Sequence, residues 1–196
     1  MTHRTKFAGY FRWTLWLFLM ALFLIPQSAR GQEAKLDLSA DYSYLRANSS
    51  GGGGSFNSQG GNVTGTWNWK PWLGVAGDVA GYNFGGQPPG VKGRLFTFTA
   101  GPRLCSRSER TRWVFFAHAL AGYAHLSGSV DDQSASANGF ALIAGGGADW
   151  RVFPGLAVRV FEADYLMTRV TRLTNAPGIQ NDVRLSAGLV VYFGRR

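Results

Sequence analysis

The stretch "VRLSAGLVVYFG", Val183 to Gly194, decides how the rest of the chain is read. Val183, Leu185, Ala187, Leu189, Val191 and Phe193 share one parity, and Arg184, Ser186, Gly188 and Tyr192 share the other. Side chains alternate across a strand, so this segment is a strand with one apolar and one polar face. It fits a soluble β-fold, whose apolar face packs on a protein core. It fits equally a membrane barrel, whose apolar face meets lipid while the polar face lines the interior. The choice rests on the segments that precede it.

Those segments repeat the pattern. In "KLDLSADYSYLRA", Leu36, Leu38, Ala40, Tyr42 and Tyr44 oppose Asp37, Ser39, Asp41 and Ser43. In "NVTGTWNWK", Val63, Trp67 and Trp69 oppose Asn62, Thr64, Thr66 and Asn68. "WLGVAGDVAGYNF" sets Leu73, Val75 and Val79 against Asp78, and "RLFTFTAGPRLC" sets Phe96, Phe98, Ala100 and Leu104 against Thr97, Thr99 and Arg103. "WVFFAHALAGYAHL" alternates least cleanly, and "GFALIAGGGADWRV" places Phe140, Leu142, Ala144 and Trp150 opposite Asp149. The phase of "LAVRVFEADYLMTRV" stays open, because Arg159 has the opposite parity from Glu162 and Asp164. With the closing segment this makes about eight strands of about ten residues, the length a tilted strand needs to cross a bilayer.

The connections have a rhythm of their own. The first, third, fifth and seventh, such as Asn48 to Gly61 and "SGSVDDQSASAN", are long and rich in Gly, Ser, Asn or Asp; the second, fourth and sixth are shorter. In an up-and-down barrel every second connection lies at the same rim, so long and short ones segregate. Outer-membrane barrels have long extracellular loops and short periplasmic turns.

The N-terminus sets the compartment. Arg4, Lys6 and Arg12 precede or begin the apolar run "WTLWLFLMALFLI", Trp13 to Ile25. At roughly 13 residues it is short of a spanning helix and suits the core of a secretory signal. Pro26, Ala29 and Gly31 then provide a break and small residues for cleavage after Gly31, giving residues 1–31 as signal peptide and 32–196 as one barrel domain. Removing Arg4, Lys6, Arg12 and Arg30 lowers the net charge from +9 to about +5, too little to imply nucleic acid as a partner. The single cysteine, Cys105, forms no internal disulfide.

The polar face carries charges of both signs: Asp41, Asp78, Arg103, His118, Asp149, Asp164 and Arg184. An eight-stranded barrel has an interior just wide enough to be filled by side chains, where such charges pair across the lumen. The apolar face ends in aromatics, Tyr44, Trp67, Trp69, Trp72, Trp113, Trp150, Tyr165 and Phe193, the residue types of interfacial girdles. Lys70, Arg103, Arg107, Arg110, Arg112, Arg151, Arg195 and Arg196 fall near the short turns, where they would face anionic headgroups.

On "LDLSADYSY", "FTFTAGPRL", "FFAHALAGYAH", "GGGADWRV", "EADYLMTRV" and "RLSAGLVVYFG", the segment resembles the outer-membrane β-barrel domain family, including the transmembrane domain of OmpA and its small relatives. The resemblance implies a Gram-negative outer-membrane location and contact with outer-membrane lipids and lipopolysaccharide. It also implies the β-signal read by the barrel-assembly machinery, with Ser186, Gly188, Val191 and Phe193 in its places. The pattern departs in that Gly194, Arg195 and Arg196 follow Phe193.

For chemistry, "HLS", His125 to Ser127, resembles the His-x-Ser of lipid A deacylases, in which a Glu orients the His. No Glu follows before Glu162. His118 and Cys105 are two isolated donors, short of a metal site, and the glycine runs Gly51 to Gly54 and Gly145 to Gly147 lack the Lys-Ser/Thr of a phosphate loop. The expectation is an all-β, eight-stranded antiparallel transmembrane barrel without cofactor, metal or catalytic site. Its role is structural, surface-interacting through the long loops with an unidentified extracellular partner, or that of a narrow pore. The alternatives are a lipid A-modifying enzyme and a secreted soluble ligand-binding barrel.

Overall fold

The computed structural model describes residues 35–48, 55–85, 91–107, 110–130, 133–171 and 177–194. The leader and its cleavage site lie outside these residues. The described residues form β1 (Leu36–Asn48), β2 (Ser55–Lys70), β3 (Leu73–Gly85), β4 (Val91–Arg107), β5 (Trp113–Val130), β6 (Gln133–Phe153), β7 (Leu156–Thr171) and β8 (Pro177–Phe193). Every strand pairs antiparallel with its sequence neighbour, and β8 returns to β1 from Leu36 opposite Phe193 to Asn48 opposite Asn181. Closure leaves no strand edge, which is what a sheet in hydrocarbon requires, since lipid cannot hydrogen-bond an open edge.

The strands run from 13 to 21 residues, longer than the ~9–11 needed for a crossing. Much of the surplus lies toward the odd-numbered connections. β5 and β6 stay paired from Leu126 opposite Ala137 out to Val130 opposite Gln133, so most of "SGSVDDQSASAN" is a hairpin continuing the ladder and not an irregular loop. A polar sequence suits a ladder standing in water, and its lack of alternation made the stretch read as a loop.

Facing sets the barrel apart from a soluble one. Outward-pointing Trp67 is 61% exposed and Leu185 50% exposed, while inward Arg184 is fully covered. All seven carboxylates among the described residues are buried. A secreted soluble barrel would enclose its apolar face and wet its polar one; this arrangement is the reverse and overturns that alternative.

The open phase of β7 is resolved by a bulge. Asp149 of β6 pairs with Arg159 and the preceding Ala148 with Phe161, which leaves Val160 unpaired. On the other side Arg159 pairs with Gly188 of β8 and Glu162 with Ser186. Val160 and Phe161 therefore both point outward, and Arg159, Glu162 and Asp164 all point inward. A bulge inserts one residue and so shifts the side-chain parity beyond it. Deleting Val160 is expected to restore strict alternation with Arg159 and Glu162 both still inward, and so to cost well under the roughly 2–4 kcal/mol of turning a cation toward lipid near the bilayer midplane. Urea unfolding in phospholipid vesicles, followed by tryptophan fluorescence, measures the loss.

Candidate functional site

The interior is built in two layers. Nearer the short turns lies an ionic layer centred on two arginines. Arg159 donates from Nε to Asp149 (2.9 Å), and its Nη1 reaches Asp41 (3.0 Å), Glu162 (2.6 Å) and the Ser39 hydroxyl (3.1 Å). Arg184 donates from Nη1 to Asp78 (2.9 Å), from Nη2 to Glu162 (3.1 Å) and from Nε to Asp164 (2.7 Å). Glu162 thus holds one arginine with each carboxylate oxygen. His118 Nε2 lies 3.0 Å from Asp164 and 3.9 Å from the second oxygen of this bridge. Arg103 bonds the Thr66 hydroxyl (2.9 Å) and lies 3.6 Å from Asp149. The Phe116 ring fills the gap between two guanidiniums, 4.1 Å from that of Arg103 and 4.5 Å from that of Arg159.

Toward the long connections an apolar cluster dominates the interior, beside the buried Ser58, Thr97, Thr168 and Asp182. Leu45, Ala80, Tyr82, Leu95, Leu120, Ala124, Ala141, Ile143 and Leu166 pack together, with Phe84 and Leu126 against them. The weak alternation of β5 follows from this. Its inward face supplies Val114, Phe116, Leu120 and Ala124 to the lumen while its outward face is apolar for lipid, so only His118 interrupts the pattern.

All seven residues expected to line the lumen, Asp41, Asp78, Arg103, His118, Asp149, Asp164 and Arg184, are buried inside. Of the other charged side chains buried with them, Arg159 and Glu162 were missed because the bulge reverses their relative phase. The only sign of it in the sequence was the parity clash itself. Arg103 is not at the periplasmic rim as expected: it is 2% exposed within the lumen. Arg107 also turns inward, to an ion pair with Asp37, and lies 5.7 Å from the Tyr192 ring. Lys70, Arg110 and Arg112 are exposed near the short turns, with Lys70 5.3 Å over the Trp72 ring, while Arg151 donates to the Thr111 carbonyl (2.6 Å). Arg195 and Arg196 lie outside the described residues.

Of the girdle aromatics, Trp113 and Trp150 meet edge to face at 4.7 Å, and Trp67 and Trp69 lie 6.3 Å apart. In the closing strand, Ser186 shares a hydrogen bond with Ser43 (2.9 Å). Gly188 sits where a Cβ would come within 2.4 Å of Asp41 Oδ1 and 2.2 Å of the Ala40 carbonyl oxygen. Val191 is half-buried, and Phe193 is exposed at the strand end. His125 and Ser127 have the outward parity of β5, and His125 Nδ1 lies 2.6 Å from Asn138 Oδ1. An amide therefore stands beside the imidazole where the deacylase resemblance needs a carboxylate. Cys105 is a buried thiol on the inward face of β4.

His118, Glu162 and Asp164 bring one potential ligand atom each within 4.8 Å of one another. Arg159 and Arg184 already occupy both carboxylates, so a divalent cation would have to displace a guanidinium. The cluster is an ion-pair junction and does not fit a metal.

A model of the family described as outer membrane protein beta-barrel domain matches residues 15–193. Among solved structures, Neisserial surface protein A (NspA) superposes with a TM-score of 0.66 at 18% identity, covering 84% of this chain and 100% of that one. Ail, the attachment invasion locus protein of Yersinia pestis, gives 0.58 at 20% identity, covering 82% and 99%. OprG from Pseudomonas aeruginosa gives 0.52 at 10% identity, covering 83% and 97%. At these identities the likeness is one of fold. No curated protein sequence matches the chain.

Removing one partner of a buried ion pair leaves the other charge uncompensated, at about 3–5 kcal/mol. Arg184→Met is expected to lower unfolding stability by that order. Adding Asp78→Asn and Asp164→Asn is expected to recover part of the loss, because fewer carboxylates are then stranded. A double-mutant cycle by urea unfolding measures the coupling.

Proposed function

Because the chain belongs to the outer membrane protein β-barrel domain family, we propose that it acts as a non-catalytic surface barrel, with its working parts on the outside and at the extracellular ends and with a closed lumen. The observation that carries this reading is the filling of the interior. Below, side-chain charges are tied to one another across the lumen. Above, Leu45, Leu120, Ile143 and Leu166 are all fully covered. Water and ions need room as well as polar lining, and although Ser58, Thr97, Thr168 and Asp182 are buried on the same rungs, side chains covered to this degree leave no open path. That favours the surface role over the narrow-pore one.

The deacylase alternative loses support from His125, whose near neighbour is Asn138. A hydrolytic Ser needs a base held and made more basic by an acidic partner. The partners on this reading are outer-membrane lipids and lipopolysaccharide around the wall, the barrel-assembly machinery during insertion, and an extracellular ligand at the protruding hairpins. Ail, a barrel of the same fold, is known in complex with the heparin analogue sucrose octasulfate, which makes an external ligand a reasonable expectation for such ends. Residues 1–31 act as the export signal and 32–196 as the barrel domain. Ser186, Gly188, Val191 and Phe193 act as the assembly signal: Gly188 lets β8 close tightly on Asp41, and Phe193 ends the strand at the interface.

Planar bilayers containing the purified protein are expected to show none of the large steady conductance steps of a wide porin; such steps overturn the closed-lumen reading. Lipid A mass spectra are expected to be identical in cells with the wild-type gene and with an empty vector. Gly188→Val combined with Phe193→Ala is expected to reduce the heat-modifiable outer-membrane form several-fold. Undiminished levels would remove the assembly role.

A further inference from the structure

Charge is segregated across the barrel wall. All carboxylates among the described residues point into the lumen, so the charges left on the outside are cationic. Three of these outward cations stand near the extracellular ends, each two residues beyond a lipid-facing apolar side chain of its own strand. Arg46 follows Tyr44 on β1, Arg94 precedes Phe96 on β4, and Arg169 follows Met167 on β7. The same boundary on the other strands is marked by neutral polar groups and His125: Gln59, Asn83, Asn138 and Asn181. A cation at the edge of the apolar band is stable when it meets an anionic headgroup.

Beside Arg46 the wall is also shaped. Tyr42 lies two outward places below it and pairs with Gly61, and Tyr42, Gly61, Val63 and Val79 line a shallow outward cleft. A Cβ built at Gly65 or Gly77, on the same two strands below the cleft, meets nothing within 4 Å. A phosphate on Arg46 would hang its acyl chains over this apolar cleft.

We propose that Arg46, Arg94 and Arg169 form a belt that binds the phosphates of outer-leaflet glycolipid, with the Tyr42–Gly61–Val79 cleft seating an acyl chain beside Arg46. This site deepens the surface-barrel reading and rests on the outer-membrane location, not on whether the lumen conducts. A conductance result against the closed lumen therefore leaves it standing.

The test titrates the purified full barrel, in neutral detergent, with bisphosphorylated and with dephosphorylated lipid A, and reads bound lipid by native mass spectrometry. The expected result is at least about tenfold tighter binding of the phosphorylated form, since each headgroup contact adds a modest increment. Arg46→Gln/Arg94→Gln/Arg169→Gln is expected to bring the two lipids to the same weak level. The triple lysine variant keeps the preference, as does Lys70→Gln/Arg112→Gln at the opposite rim. Millimolar inorganic phosphate does not compete, which separates a lipid site from a free-phosphate site. Equal binding of both lipids by the wild type, or an unchanged preference in the triple glutamine variant, overturns the belt. Should that variant fail the heat-modifiability test of folding, salt decides. Wild-type binding of the phosphorylated lipid must weaken from roughly 0.05 to 0.5 M salt, and insensitivity rejects the proposal.

Discussion

The structure depends on Glu162 joining Arg159 to Arg184. One oxygen takes each guanidinium, at 2.6 and 3.1 Å, inside a lumen shielded from water. Through these two arginines β1, β3, β6, β7 and β8 are tied across the interior, because Arg159 also holds Asp41 and Asp149 and Arg184 also holds Asp78 and Asp164. Arg103 and His118 extend the connections to β4 and β5. Buried ion pairs are a weak source of net stability, since desolvation consumes most of the attraction, but stranding one partner is expensive. Their effect is selective. Only one register of eight strands brings these groups together, and a one-residue slip would turn a strand's charges toward hydrocarbon.

The surrounding lipid explains why the charges are there at all. A soluble protein of this size puts carboxylates on its surface. Here the surface of the band is hydrocarbon-facing, and the lumen is the place where polar side chains satisfy one another. Small residues and paired charges fill the lower lumen, and Leu45, Tyr82, Leu120 and Ile143 close the upper part. A barrel of eight strands has no volume left for a wide channel once both layers are in place. Its exposed chemistry is accordingly confined to the two rims and the outer wall.

How much was legible follows from period and phase. Strands with a clean two-residue period, such as β1 with Asp37, Ser39 and Asp41 facing in, could be assigned to faces directly, because in each the inward and outward demands differ in polarity. β5 resisted because its inward face is itself largely apolar. β7 resisted because Val160 is an extra residue, and a bulge leaves no compositional mark beyond the clash between Arg159 and Glu162. Arg103 was legible as inward by parity, yet its nearness to a turn suggested the rim. Strand tilt and stagger decide depth, and those belong to the closed barrel and not to the segment.

The amino-acid sequence by itself determined the number of crossings, the polarity of most faces and the family. These are local consequences of alternation, segment length and turn composition, each readable within about ten residues. Only the tertiary structure decided which charges meet. Asp41 and Arg159 stand 118 positions apart in the chain, and Asp78 and Arg184 stand 106 apart. Their contact requires barrel closure, the stagger of eight strands and the bulge at Val160 together. None of these is a property of any one segment, because each arises from the requirement that the last strand find the first.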